Sequence, residues 1–423
     1  MGMGHFFKAL IVAGAALVAA QPACATWREA SSAHFVIYSE QSARSLEEFA
    51  TKLERYDKAI RVLRGLADEP VGKANRLTVY IVSDEAAVQK LYGRGGSSGN
   101  YGIAGFYIPR AGGSLAFVPR MSGGSEFDLD GQIVLLHEYA HHFMMQNYPG
   151  AYPPWFVEGY AEFHSTAKFD RDGSVGIGTP ALHRAPSLLL GTSVPMEKLM
   201  ALSSPKLGTA ELDAVYARGW LLIHYLMFAQ RDGQLRDYLA RINKGEASLD
   251  AARAAFGDLK KLDRDLDGYI HQRLYYWHIP AAKLAVAPVA VREVTPAENA
   301  ILPIRIRSQR GVDRKQAAAL VPLARAVQAR FPGDAAVENS LAECEYDARN
   351  YSEAEAAAGR ALAADPKSVH ALLYKARARM AVAESAKDFS PARWTDIRKT
   401  IASANRADPD DPSPFIFFYN SFA

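Results

Sequence analysis

The segment His137-Glu138-Tyr139-Ala140-His141 constrains this chain more than any other. It lies in a run without Pro or Gly from Gln132 to Tyr148, with Ile133-Val134-Leu135-Leu136 before it and Phe143-Met144-Met145 after it. Such a run predicts a helix of several turns. Residues four apart on a helix share a face, one turn above the other, so His137 and His141 bring two imidazoles toward one point. A zinc ion is held in that way. Glu138 falls beside the first His, where a carboxylate can act on water at the metal. The same five residues also fit a helix whose histidines only fill a core, so the reading depends on a third ligand.

Past the turn Tyr148-Pro149-Gly150-Ala151-Tyr152-Pro153-Pro154 comes Trp155-Phe156-Val157-Glu158-Gly159-Tyr160-Ala161-Glu162-Phe163. Pro154 before an apolar-periodic run is a helix-start signal. A helix–turn–helix folds this second helix back on the first, and Glu158 then reaches the metal opposite the two histidines. Three protein ligands leave one position open, the pattern of a catalytic zinc site rather than a structural one. Glu162, one turn later, is placed to accept a hydrogen bond from a ligand imidazole. The alternative is that both glutamates are solvated helix charges.

The pattern resembles the gluzincin metallopeptidases, whose fold is thermolysin-like. Their aminopeptidase branch carries the third ligand in Trp-Leu-x-Glu-Gly-x-Ala. Here Phe156 stands for the Leu, Val157 occupies the usual Asn position, and the exopeptidase motif Gly-x-Met-Glu-Asn is absent upstream. The resemblance spans residues 27–280, most closely 100–230. It implies a zinc metallopeptidase with zinc on His137, His141 and Glu158, and with Glu138 as the base that deprotonates the zinc-bound water. Val215-Tyr216-Ala217-Arg218-Gly219 resembles the family's Tyr-x-Lys-Gly segment, with Arg218 for Lys. That implies a role for Tyr216 as hydrogen-bond donor to the oxyanion. Without the resemblance, Tyr216 equally starts an ordinary apolar helix from Tyr216 to Phe228. His224 in that run reads as a core residue or a neighbour of the site, and His142 and His164 as structural.

Gly105-Phe106-Tyr107-Ile108-Pro109-Arg110 and Ser114-Leu115-Ala116-Phe117-Val118-Pro119 read as strands joined by the turn Ala111-Gly112-Gly113. Pro119 confines the second strand to an edge or ends it. An edge strand beside the zinc helix binds an extended peptide through main-chain hydrogen bonds. By the same resemblance, Leu115, Ala116 and Phe117 become the substrate-binding residues; the alternative is a hairpin packed under the helix. The segment Gly93–Gly99 lacks a Lys-Ser/Thr ending and reads as a loop near the cleft, not a nucleotide site. Asp263–Gly268 starts like a calcium loop, but Leu274 stands where a bidentate Glu is needed, so it reads as the beginning of a charged helix. Asp170–Gly173 reads as a hairpin turn.

Lys8, the apolar run Ala9 to Ala20 and the small-x-small Ala23-Cys24-Ala25 have the pattern of a signal peptide, residues 1–25. This implies a secreted or periplasmic protein. Lipid attachment at Cys24 is disfavoured, because Gln21-Pro22-Ala23 lacks the usual Leu. No later stretch is long and apolar enough for a transmembrane span. Once Cys24 is removed only Cys344 remains, so no internal disulfide is expected. The formal net charge is +3 over 423 residues, with no basic stripe, so a nucleic-acid reading has no support and no nucleic-acid partner is expected.

These features predict an α+β chain. A gluzincin-like peptidase domain occupies 26–280, a small mixed sheet with an antiparallel edge strand plus a helical subdomain. A Pro- and Val-rich linker or short strand connection follows at 281–310, then an all-α domain at 311–423. In that last part Phe331-Pro332-Gly333-Asp334 and Ala364-Asp365-Pro366-Lys367 are turns thirty-four residues apart, and the pattern resembles tetratricopeptide repeats. Asp408-Pro409-Asp410 is a third such turn. The aromatic run Pro414 to Tyr419 is expected to bury. The partners implied are a peptide or protein substrate and a protein on the concave face of the repeats. Two other readings stay open: a non-catalytic peptide-binding scaffold that works through the repeats, and a zinc hydrolase acting on cell-wall peptides. The presence of Glu138 argues against the scaffold.

Overall fold

The computed structural model describes residues 26–69, 71–93, 105–120, 131–191, 193–202 and 208–422. The expected leader at 1–25, Cys24 included, and the glycine-rich segment beyond Gly93 lie outside the described residues. The fold is mixed α+β. Strands β1 (Arg28–Ser31), β2 (Phe35–Ser39), β3 (Leu77–Val82), β4 (Phe106–Ile108), β5 (Leu115–Pro119) and β9 (Ala290–Glu293) form one sheet in the order β4-β5-β3-β2-β1-β9. β2, β3 and β5 are parallel; β4, β1 and β9 run antiparallel to their neighbours. A smaller antiparallel sheet joins β6 (Lys168–Phe169), β7 (Val175–Ile177) and β8 (Trp277–Ile279), with the expected turn Asp170–Gly173 between the first two.

Strand alternation divides the core. Phe35, Ile37, Val79, Ile81, Ala116 and Val118 face one way, onto Leu53 and Tyr56 of helix Ala43–Arg64 and onto Leu135 and Tyr139 of helix Gly131–Asn147. Tyr38, Tyr80 and Phe117 face the other way, onto Leu302 and Ile306 of helix Pro296–Gln309. With both faces covered, the central strands are apolar apart from Ser39 and Thr78.

That packing replaces the expected linker with a strand connection and a helix. Residues 281–310 supply β9, which extends the sheet beyond β1, and the helix that closes its second face. Six further helices follow, Arg314–Arg330, Ala335–Asp347, Tyr351–Ala364, Val369–Ser385, Pro391–Ala407 and Ser413–Asn420, each packed on the next. The turns at residues 331–334, 365–368 and 408–412 fall where the Pro-containing motifs stand. The final aromatic run departs from expectation: Phe417 packs inward, while Phe415 and Tyr419 are 60% and 78% exposed. A helix of eight residues has too little of its surface against its neighbour to bury them all.

A buried polar network fixes the motif helix. The Tyr139 hydroxyl donates to Asp57 Oδ1 at 2.5 Å, and Arg61 Nε donates to Asp57 Oδ2 at 2.6 Å. His34 Nδ1 lies 2.8 Å from Glu54 Oε2, and the His34 amide donates to Glu54 Oε1 at 2.8 Å. Tyr139 is two residues from both His137 and His141, so anchoring it inward turns both imidazoles the other way. Burial opposes a charge on His34, but Glu54 and Asp57 outweigh it and raise its pKa above 6.5. Burial likewise opposes the Glu54 carboxylate, and its bonds with His34 and Ser32 hold it below 4.5.

The sign of the pH dependence follows. The His34 contribution is full below its unfolded pKa and is lost as pH rises through its folded value. The Glu54 contribution is present above its unfolded pKa and is lost as pH falls through its folded value. Thermal melts at pH values from about 6 to 10 are therefore expected to show the wild-type advantage over His34→Gln shrinking with rising pH. A constant gap would contradict this account of the network.

Candidate metal centre

Helix Gly131–Asn147 carries His137, Glu138 and His141; helix Pro154–Ser165, begun by Pro154 as expected, carries Glu158 and Glu162. The turn between them brings three ligand atoms together. His137 Nε2 lies 3.1 Å from His141 Nε2 and 3.2 Å from Glu158 Oε2, and His141 Nε2 lies 3.4 Å from the same carboxylate oxygen. Ligand atoms on a tetrahedron with metal bonds of about 2.05 Å lie about 3.3 Å apart. The three atoms therefore form one face of such a tetrahedron, and the group can hold a metal ion.

The charges fit that role. Burial opposes ionisation of Glu158, yet its bonds with His137 and His141 hold it well below the usual carboxylate range. Burial also opposes a proton on His137, but Glu158 and Glu162 raise its pKa to about 10, so here a proton and a metal compete for the same nitrogen. Glu138 is partly buried, and burial raises its pKa against the pull of His137 and His141. A carboxylate with a raised pKa is a stronger base.

Glu162 stands where the sequence places it, 3.3 Å from His137 Nδ1. Two residues that sequence reasoning missed hold it there. Arg184 donates to its Oε1 at 2.7 Å and to its Oε2 at 3.2 Å, and His183 Nε2 lies 2.9 Å from Oε2. Both belong to the short helical segment Leu182–Arg184, which carries no periodic signal. The adjacent His-Arg pair in an otherwise apolar stretch was the available clue. Of the two histidines, His137 thus has its far nitrogen held, whereas His141 Nδ1 has no partner among the described residues.

Tyr216 belongs to helix Thr209–Phe228, which begins earlier than expected because Glu211 caps the Gly208 amide. Its ring lies 5.7 Å from the His137 ring and under the Arg184 guanidinium, 4.8 Å away. Burial and then the charges of Glu158 and Glu138 push its hydroxyl above the usual range, so the phenol stays protonated beside both carboxylates.

Two glycines set this proximity. A Cβ on Gly159 would lie 2.5 Å from the Gly219 carbonyl carbon, and a Cβ on Gly219 would lie 2.6 Å from the Trp155 carbonyl oxygen. The helices bearing Glu158 and Tyr216 therefore cross backbone to backbone. Gly219→Ala is expected to lower stability by at least about 1–3 kcal/mol, because neither backbone can yield without moving its helix. Urea unfolding measures this, and an unchanged midpoint would contradict it.

The remaining expectations divide. His142 is buried with Nδ1 2.9 Å from the Tyr107 hydroxyl, and burial pushes its pKa down to about 4. His164 is buried with Nδ1 2.7 Å from the Tyr160 carbonyl oxygen. His224 lies in the core between the Tyr269 hydroxyl and the Tyr275 carbonyl oxygen. Asp263 and Asp267 lie within helix Leu259–Tyr269, not at its start, and pair with Arg218. His34, Asp57 and Asp68 also approach one another, but Arg61 and Tyr139 engage Asp57, and Lys58 engages Asp68.

Leu115, Ala116 and Phe117 need correction. β5 is bonded on both sides, to β3 through Thr78, Val79 and Tyr80 and to β4 through Ile108, Tyr107 and Phe106. From Leu115 to Phe117 its backbone has no free side for a peptide, and its side chains are buried. Pro119 ends the strand instead of marking an edge; among the described residues the edge on this side is β4. No protein-family model matches the chain, and no curated protein matches it.

Proposed function

We propose that this chain is a zinc-dependent hydrolase of peptide bonds, a metallopeptidase of gluzincin type. The observation that carries the reading is the triangle of His137, His141 and Glu158 ligand atoms, 3.1–3.4 Å on a side, with Glu138 next to it on the same helix. Zinc, when bound, supplies a Lewis acid that acidifies water and polarises a carbonyl. Glu138 takes a proton from the water that attacks the carbonyl carbon, and passes it to the amine as the C–N bond breaks. Tyr216 donates a hydrogen bond to the carbonyl oxygen as that oxygen gains charge. Glu162, gripped by Arg184 and His183, positions His137. β4 offers main-chain groups to an extended substrate. The Lys8–Ala25 pattern supports export, and the thirty-four-residue spacing of Pro332 and Pro366 supports tetratricopeptide-like repeats after the hydrolase.

Digestion of an unbiased peptide library, read by mass spectrometry, tests this function. Cleavage that a chelator stops and added zinc restores is the expected result; no cleavage by the zinc-loaded protein would overturn it. Tyr216→Phe is expected to cut turnover by about a hundredfold or more, the usual effect of losing one oxyanion donor, with zinc retained. Turnover equal to wild type would remove Tyr216 from the chemistry.

A further inference from the structure

A cavity of about 730 Å³ lies between the large sheet and the C-terminal helices, apart from the metal centre. Arg110 enters it from the turn between β4 and β5, Arg305 from helix Pro296–Gln309 and Arg377 from helix Val369–Ser385. Arg110 donates to the Gln309 carbonyl. Arg305 lies 5.4 Å over the Tyr38 ring, and Arg377 lies 5.1 Å over Tyr374 and 5.4 Å over Phe417. None of the three has a carboxylate at ion-pair distance among the described residues. Stacking orients a guanidinium plane and leaves its N–H fork free for a planar anion.

The cavity does not neutralise itself. Five cationic and three carboxylic side chains line it. Of the carboxyls, Asp347 is pushed up to about 6 by burial and by Glu343, and burial raises Glu343 too. A second cavity of about 400 Å³ meets it at Arg305, Gln309, Glu343 and His370 but adds Glu298 and Asp334 and no further cation, so the excess of positive charge belongs to the larger cavity. Ile416 and Phe417 of the last helix border it, next to the exposed Phe415 and Tyr419. Arg110 stands two residues past the end of β4, so a peptide added to that strand leads toward the cavity.

We propose that this space docks an acidic peptide segment, with its carboxylates on Arg110, Arg305 and Arg377 and its apolar side chains on helix Ser413–Asn420. Three guanidinium groups on separate elements beside an apolar border fit a peptide better than a compact phosphate. That the peptide belongs to a substrate rests on the hydrolase reading; that it binds does not.

The test uses the full chain carrying Glu138→Gln, so that cleavage does not enter, and fluorescence anisotropy with fluorescein-labelled octaglutamate. Octaglutamate is expected to bind at least tenfold more tightly than labelled octaglutamine. Arg110→Gln with Arg377→Gln is expected to weaken octaglutamate at least tenfold, the scale of a lost charge-assisted hydrogen bond, without lowering the melting temperature. If the double variant unfolds, the exposed Arg110→Gln alone is expected to weaken it several-fold. Equal binding of the two peptides, or undiminished binding by the folded variant, would overturn the proposal. So would displacement of octaglutamate by inorganic pyrophosphate at lower concentration than by unlabelled octaglutamate, which would make this a phosphate site. None of these outcomes depends on whether the protein cleaves peptides.

Discussion

Glu138→Gln is expected to lower peptide hydrolysis by at least about a hundredfold while keeping the metal and the fold. Glu138 is outside the ligand triangle, so its loss leaves the three donor atoms in place. Its raised pKa comes from burial next to two histidines that pull the other way, and the amide of Gln matches the carboxylate in shape without its basicity. Zinc content and the melting curve are expected to match wild type. Parallel digestion of the same peptide library is the check; equal rates would mean that another group moves the proton.

Much of this site was legible because it is local in sequence. Four-residue spacing on one helix determines that His137 and His141 share a face, and Pro154 determines where the second helix starts. The Gly159–Gly219 crossing explains why a glycine stands directly after Glu158 and another one turn after Tyr216. The sequence is silent where position depends on distant pairing. β5 has the same apolar composition at an edge or in the interior, and pairing with both β3 and β4 decides between them. β9 pairs with a strand more than 250 residues earlier, so a Val- and Pro-rich stretch reads as a linker until that partner is known. His183 and Arg184 reach Glu162 from outside either motif helix, and no periodicity marks them.

His141→Ala is expected to abolish stoichiometric zinc, and with it all hydrolysis. It removes one of three protein ligands and leaves His137 and Glu158, too few for a site of this kind. The helix is held from its other side by Tyr139, and the contacts of the His141 imidazole are with His137 and Glu158 of the ligand triangle, so its loss leaves the helix anchored. Circular dichroism of the variant is expected to match wild type.

Metal analysis of the purified full chain, reconstituted with zinc and dialysed, therefore tests the central claim most directly. About one zinc per wild-type chain and almost none in His141→Ala is the expected result. A wild-type protein that retains no zinc, or a His141→Ala protein that retains as much as wild type, would contradict it.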